Sequence, residues 1–345
     1  MLFRGVKKLT TVITVLVGCV GALIAWLIHF PAPFLTGPAV AVATGGLLGF
    51  SFRIPNILRE TIFLFLGITL GASVTPEILD AAKTWPVSLI FNCISTALVT
   101  TLGWLLLVGY FNLERKTAIL ASSPGHLSFV LSLGSTVGAD VSNIAIIQSI
   151  RVFILTLAVP VILSLLAKPD ELLSQIVSIN ISLSNFFLLS CVSALVGVLA
   201  RHFRVPAALL LSGMLFSSIG HGINLTPGSI PQPLPMFCFI ILGSLIGSRF
   251  TGVTYIELRK CCASGLVATF IGLVVSLILA YLVHGLTGVD IFVVLVAFAP
   301  GGFETMVAMS SLVGADPAYV AIHHITRLFF LSVFVPIVLI EKQKL

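Results

Sequence analysis

The sequence predicts an all-α polytopic membrane protein made of two homologous repeats, and three observations carry that prediction. The 345 residues are 58% hydrophobic and 9% charged, whereas soluble domains are about 45–50% apolar and about 25% charged. Runs such as residues 9–28 carry no formal charge for a length of about twenty residues, enough at about 1.5 Å per residue to span a hydrocarbon core of about 30 Å. Lastly, a long stretch of the first half returns in the second.

That return is gapless. Residues 124–162 (PGHLSFVLSLGSTVGADVSNIAIIQSIRVFILTLAVPVI) align with residues 300–338 (PGGFETMVAMSSLVGADPAYVAIHHITRLFFLSVFVPIV) at an offset of 176. The identical pairs include Pro124/Pro300, Gly125/Gly301, Gly138/Gly314, Asp140/Asp316, Arg151/Arg327 and Pro160/Pro336. Upstream, the same offset matches Gly37 with Gly213, Gly67 with Gly243 and Gly71 with Gly247. A fixed spacing held over such a length marks a duplication, which divides the chain into a first membrane repeat, 1–170, and a second, 171–345.

Each repeat has the same plan. Apolar segments fall near 9–29, 34–51, 58–75, 86–110, 117–136 and 142–166, and again near 179–200, 206–222, 235–250, 261–284, 291–312 and 318–340. The first segment follows Arg4, Lys7 and Lys8, but it is longer than the apolar region of a signal peptide and is read as a retained membrane helix. Prolines 31, 33, 206, 231, 233 and 235 punctuate the boundaries. The spacing of Gly67/Gly71 and of Gly243/Gly247 suits close helix packing and permits a homodimer.

Charge sets the expected orientation. If segments 117–136 and 291–312 dip in and return while the other five of each repeat cross, a cytoplasmic N-terminus puts one group of cations inside. It comprises Arg4, Lys7, Lys8, Arg53, Arg59, Arg115, Lys116, Arg201, Arg204, Arg249, Arg259, Lys260, Lys342 and Lys344, against Lys83 and Lys168 outside. This positive-inside bias favours inverted repeats, each of five crossings plus one broken or re-entrant helix. The formal charge of +6 is therefore a topology signal, and no nucleic-acid module is expected. No GxxxxGK[ST] motif occurs, so ATP is not the expected energy source. The six cysteines form no CxxC pair and read as small hydrophobes in helices.

Candidate chemistry gathers at the interrupted segments. Ser123, Pro124, Gly125 and His126 interrupt one, and Pro300, Gly301 and Gly302 the other. Proline removes a donor and glycine frees the backbone, so each run breaks a helix within the membrane and opens main-chain N–H groups to an anion. Arg151 and Arg327 lie inside apolar helices, where a charge is costly unless it is paired or faces an aqueous cavity. Three roles are open to them: pairing across the repeat interface, holding a substrate carboxylate or phosphate, or capping carbonyls of the other repeat's broken helix. Glu304, two residues past its break, would either seat a coupling proton or sodium ion or interact with the start of its half-helix. His126 could titrate near neutral pH. His323 and His324 read as hydrogen-bonding histidines rather than metal ligands, since no HxH or HExxH accompanies them. Gly-Ala-Asp at 138–140 and 314–316 reads as a turn whose Asp caps the next helix.

The paired segments SSPGHLSFVLSLGSTVGAD…R…P and APGGFETMVAMSSLVGAD…R…P resemble the AbrB-duplication membrane proteins, often labelled ammonia monooxygenases, over essentially residues 10–340. The resemblance implies a bacterial inner-membrane protein of two homologous repeats, similar to cation/proton antiporters and bile-acid-type transporters. For one family member it implies an indirect role in gene expression. This chain departs from the family's doubled SPGG, with His126 in one repeat and Ala299 before Pro300 in the other. The expected function is ion-coupled secondary transport of a small solute, whose partners are that solute, a proton or sodium ion and the lipid bilayer. Neither a cofactor nor a metal is expected. The rival readings are a membrane sensor or regulator and, least supported by only seven histidines, the monooxygenase of the family label; the chain is not read as an enzyme.

Overall fold

The computed structural model describes residues 2–72, 85–125, 127–166, 180–203, 205, 207–228, 230–310 and 315–340. Among them the secondary structure is helical. In chain order the helices are α1 (Leu2–Leu27), α2 (Pro33–Leu47), α3 (Asn56–Gly71), α4 (Trp85–Phe111), α5 (Arg115–Ser122), α6 (Leu127–Val137), α7 (Val141–Leu166), α8 (Leu183–His202), α9 (Ala208–Gly222), α10 (Pro233–Gly247), α11 (Tyr255–Thr287), α12 (Ile291–Phe298), α13 (Phe303–Ser310) and α14 (Pro317–Ile340). Among the described residues seven spans are long and apolar enough to cross a membrane, in α1, α4, α7, α8, α11 and α14 and in α10 together with the 3₁₀ turn Ser248–Phe250 that continues it. Bulky apolar side chains such as Leu16, Leu195, Phe270 and Phe329 remain exposed on these spans. Water would penalise such faces and lipid would not, so the helices fit a multi-pass membrane protein.

Local chemistry starts and stops the helices. Thr254 and Glu257 form a reciprocal capping box at the head of α11. Asp290 accepts from Phe292 N at 2.8 Å to open α12. Asp140 accepts from Asn143 N at 3.0 Å, and Asp316 from Ala318 N at 2.8 Å, so both Gly-Ala-Asp aspartates cap the next helix. Gly138, at φ +73°, supplies the left-handed residue between α6 and α7.

The chain forms two compact units that cut across its two halves. The first holds Met1–Asp80, Pro160–Gly252 and Val307–Ala318; the second holds Ala81–Val159, Val253–Met306 and Tyr319–Leu345. Residues from the first half of the chain, 1–170, and from the second, 171–345, contribute to each unit.

In the first unit α3 packs on α9, α2 on α10, α1 on α2 and α8 on α9. Glycine allows the close approaches. Gly67 and Gly71 press on the main-chain carbonyls of Leu210 and Met214, and Gly243 and Gly247 on those of Leu35 and Ala39. Packing also corrects one pairing read from the sequence. Gly37 stands against Gly21, but the residue of α9 standing against Gly197 is Ser212, not Gly213. The match between halves therefore slips by one residue within α2 and α9, which a gapless offset does not register.

In the second unit α4 and α11 pack on each other, α5 on α4, and α12 on α11. Both long helices carry buried hydroxyl and amide side chains, including Ser88, Asn92, Thr96 and Thr100 on α4 and Ser264, Thr269 and Ser276 on α11. Several satisfy themselves on the preceding turn, as Thr96 does on Asn92 O and Thr269 on Gly265 O.

A Gly243→Val substitution drives a branched side chain into the Leu35 backbone and costs about 1–3 kcal/mol. Melting of the detergent-purified protein should show a lower Tm, whereas Gly285→Ala, with open space around its Cα, leaves it unchanged.

Candidate functional site

Both interrupted segments are broken helices. Residues 123–125 separate α5 from α6, and residues 299–302 separate α12 from α13. His126 falls outside the described residues. The half-helices α5 and α12 thus end inside the second unit, and the last carbonyls of each have no helical partner of their own.

Buried side chains from α7 and α14 supply the missing donors. Arg151, 2% exposed, donates through Nη1 to the carbonyls of Ser122 (3.3 Å) and Ala121 (3.5 Å), and through Nη2 to that of Ser123 (3.3 Å). Arg327, also 2% exposed, donates through Nη1 to the carbonyls of Ala299 (2.8 Å) and Phe298 (3.4 Å). Each guanidinium is a fixed cation at the negative end of a helix dipole. Sequence reasoning allowed an arginine to cap the broken helix of the other half; the structure corrects this, because each caps the break in its own half of the chain. These bonds set α7 alongside α5 and α14 alongside α12.

Each break has a second donor; Gln148 was not singled out from sequence, whereas His324 was read as a hydrogen-bonding histidine. Gln148 Nε2 donates to Leu120 O at 2.9 Å and to Ser123 O at 3.3 Å. At the matching position of α14, His324 Nε2 donates to Val296 O at 3.4 Å. Arg327 Nη2 donates to His324 Nδ1, so this histidine works as a neutral relay from guanidinium to carbonyl. The available signal was positional, since Gln148 and His324 each sit three residues before the arginine of their repeat.

The breaks also lie beside the other repeat's arginine helix. A methyl added at Gly125 would lie 3.3 Å from Leu331 of α14, and one added at Gly302 would lie 3.8 Å from Val152 of α7. Ser123 is fully buried, with its hydroxyl turned onto Ile119 O at 2.7 Å. Pro300 packs against Gly272 of α11, and Gly301 against Met306. Glu304 lies in the first turn of α13, half-buried. Among the described residues no group of three or more His, Cys, Asp and Glu side chains has metal-binding geometry. In the first unit, an apolar cavity of about 650 Å³ between α1 and α2, lined by Gly21, Ala25, Gly37, Ala41, Gly45 and Phe52 among others, presents no titratable group.

A family model described as "Transition state regulatory protein AbrB" matches residues 34–340, the stretch containing both breaks and both arginines. The chain belongs to the AbrB family. Similar proteins include "Putative regulator AbrB" of Escherichia coli (strain K12), 26% identical over 308 residues that cover 88% of this chain and 87% of the relative. "Uncharacterized protein YhjN" of Bacillus subtilis (strain 168) is 25% identical over 291 residues, covering 79% of this chain and 75% of the relative. No solved structure matches the chain. For this AbrB-family protein, broken helices capped by buried arginines are thus the local architecture at the residues that first suggested the family.

Removing a guanidinium strands several buried carbonyls, at about 1–3 kcal/mol for each buried polar group left unpaired. Arg151→Met should therefore lower the Tm further than Arg151→Gln, whose amide still donates to one carbonyl. Equal melting of the two variants would separate the guanidinium from the integrity of the break.

Proposed function

We propose that this AbrB-family chain is an ion-coupled secondary transporter of a small anionic solute. The observation that carries the reading is the pair of buried guanidinium groups at matched helix breaks. The hydrogen bonds described for them go to main-chain carbonyls and, for Arg327, to His324, groups that carry partial charge at most. Two like charges held in a low-dielectric interior favour the arrival of an anion. Broken helices near a midplane are the usual frame for such a site, because they give a solute irregular backbone without exposing it to lipid.

In this reading Ser123, Pro124, Gly125 and His126, with Pro300, Gly301, Gly302 and Glu304, surround the site, and Arg151 and Arg327 give it its charge. The chain sits in the bacterial inner membrane with its N-terminus cytoplasmic and its repeats inverted. The distribution of cations supports that orientation, and the reciprocal glycine–carbonyl packing of α3 with α9 and of α2 with α10 supports the duplication. The protein carries a solute without transforming it, together with a proton or sodium ion.

A second reading is a membrane regulator that binds a small molecule and affects gene expression indirectly. The printed names of the family model and of the Escherichia coli relative favour it. Both readings need a ligand, and only one needs flux.

A thermal-shift screen of the purified protein against carboxylates, phosphates, amino acids, amines and sodium, followed by flux in liposomes, tests the choice. An anion should raise the Tm of the wild type but not of Arg327→Gln, in keeping with binding to the folded state, and should cross the membrane only with the wild type. Binding without flux would leave the regulator; an unaltered response in both Arg151→Gln and Arg327→Gln would remove the anion site.

A further inference from the structure

One buried titratable group takes no part in capping either break. His323 of α14 is fully buried, one position before the relay histidine and on a different side of the helix. Its surroundings are polar and come from α4 as well as α14. Nδ1 lies 2.7 Å from Tyr319 O, and Nε2 lies 2.8 Å from the hydroxyl of Ser88. Asn92 Nδ2 donates to the main-chain carbonyl of His323 at 2.7 Å. The Tyr319 ring lies over the imidazole with centroids 4.0 Å apart, and Trp85 meets Tyr319 edge-on.

Donor counting then distinguishes the two charge states of this imidazole. A carbonyl only accepts, so Nδ1 carries hydrogen toward Tyr319 O in either state. When the ring is neutral, Nε2 is an acceptor and takes the one hydrogen of Ser88. That hydrogen is also directed at Trp85 O, 2.9 Å away, and it cannot serve both. When the ring is protonated, Nε2–H donates to Ser88 Oγ and the hydroxyl turns to Trp85 O. All three contacts are then satisfied at once. A single hydroxyl rotation separates the two arrangements.

We propose that Ser88 and His323 form a proton-binding site, the seat of the coupling proton in the transport reading above. The assignment thus moves from Glu304 and His126 to a pair linking α4 with α14. The titratable and charged groups facing it are Tyr319, His324 and Arg327, all from α14; α4 adds Ser88 and Asn92, and α12 adds the Phe298 ring, centroid to centroid 6.0 Å from the imidazole. His324 is unsuited to the role because Arg327 occupies its Nδ1 and Val296 O its Nε2. Two neighbouring atoms suit delivery. The buried Tyr319 hydroxyl and Asn92 Oδ1 each have no hydrogen-bond partner among the described residues. Together they offer a donor and an acceptor to a hydronium ion or water beside the ring.

The proton on His323 and the charge on Arg327 share a short stretch of α14, so an anion brought to the arginine favours proton binding, and the proton favours the anion. This linkage is the physical basis for moving the two together, and it rests on the transport reading; the proton site itself does not.

The test is nitrogen-15 NMR of the full-length protein labelled at histidine, titrated in nanodiscs, with His323→Gln identifying the signal. The expected result has two parts. The neutral ring carries its hydrogen on Nδ1, and acidification converts this signal to the doubly protonated form while the fold is retained. Ser88→Ala should require about tenfold more acid for the same conversion, and Ser88→Thr, which keeps the hydroxyl, should restore wild-type behaviour. A neutral ring protonated on Nε2, or a signal that stays neutral down to the lowest pH at which the fold is retained, would overturn the proposal. Identical titration in wild type and Ser88→Ala would overturn the role of the serine. Once His323→Gln has identified the signal, the wild type alone reports tautomer and charge, so a serine variant that fails to fold does not stop the test. Liposome flux is a separate readout, so a titrating His323 in a protein that carries nothing would retire the transporter while keeping the proton site.

Discussion

The arrangement of the second unit depends on one recurring interaction, a buried guanidinium set against the carbonyl end of a half-helix. A helix that stops inside an apolar environment leaves its last carbonyls without donors, and in lipid no water compensates. Arg151 and Arg327 resolve that problem with a charged side chain held on a rigid neighbouring helix. The solution has a cost, because the charge must itself be kept out of water. Helix dipole and cation therefore depend on each other, and a broken helix with such a cap can hold irregular backbone at depth where an uncapped one would not persist.

The first unit rests on a different constraint, the closeness of backbones. Between membrane helices the hydrophobic effect discriminates little, because lipid is as apolar as the side chains. Association then depends on contact, and glycines at 67, 71, 243 and 247 bring whole turns of α3 and α10 onto the carbonyls of α9 and α2. Small residues pack that unit, whereas hydrogen bonds to breaks dominate the other. The difference suits a molecule with one part built from continuous close-packed helices and another that carries the irregular backbone.

The two halves of the chain are alike in sequence pattern at the breaks and unlike in chemistry. At the donor position before each arginine, one has an amide, Gln148, and the other an imidazole, His324. One position earlier, the second half carries His323 where the first carries Ile147. The two histidines of α14 therefore have no titratable counterpart on α7, and the asymmetry arises at single side chains in otherwise matching segments.

Much of this was legible from residues alone. Apolar length located the membrane helices, the matched Pro-Gly pairs located both breaks, and arginines inside apolar segments announced themselves by their cost. Each signal is local, since it concerns what one segment can tolerate in lipid. The partners of those residues were not local. Ser88 and His323 meet across 235 positions, and hydroxyls at helical spacing on α4 look like ordinary packing until the helix opposite is known. The capping of each break by the arginine of its own repeat, the one-residue slip between α2 and α9, and compact units drawn from both halves all follow from how helices lie against one another. The sequence by itself determined which segments enter the membrane and where they break, because burial and backbone hydrogen bonding act along the chain. Only the tertiary structure decided which donor meets which carbonyl, because that is set by packing between helices distant in sequence.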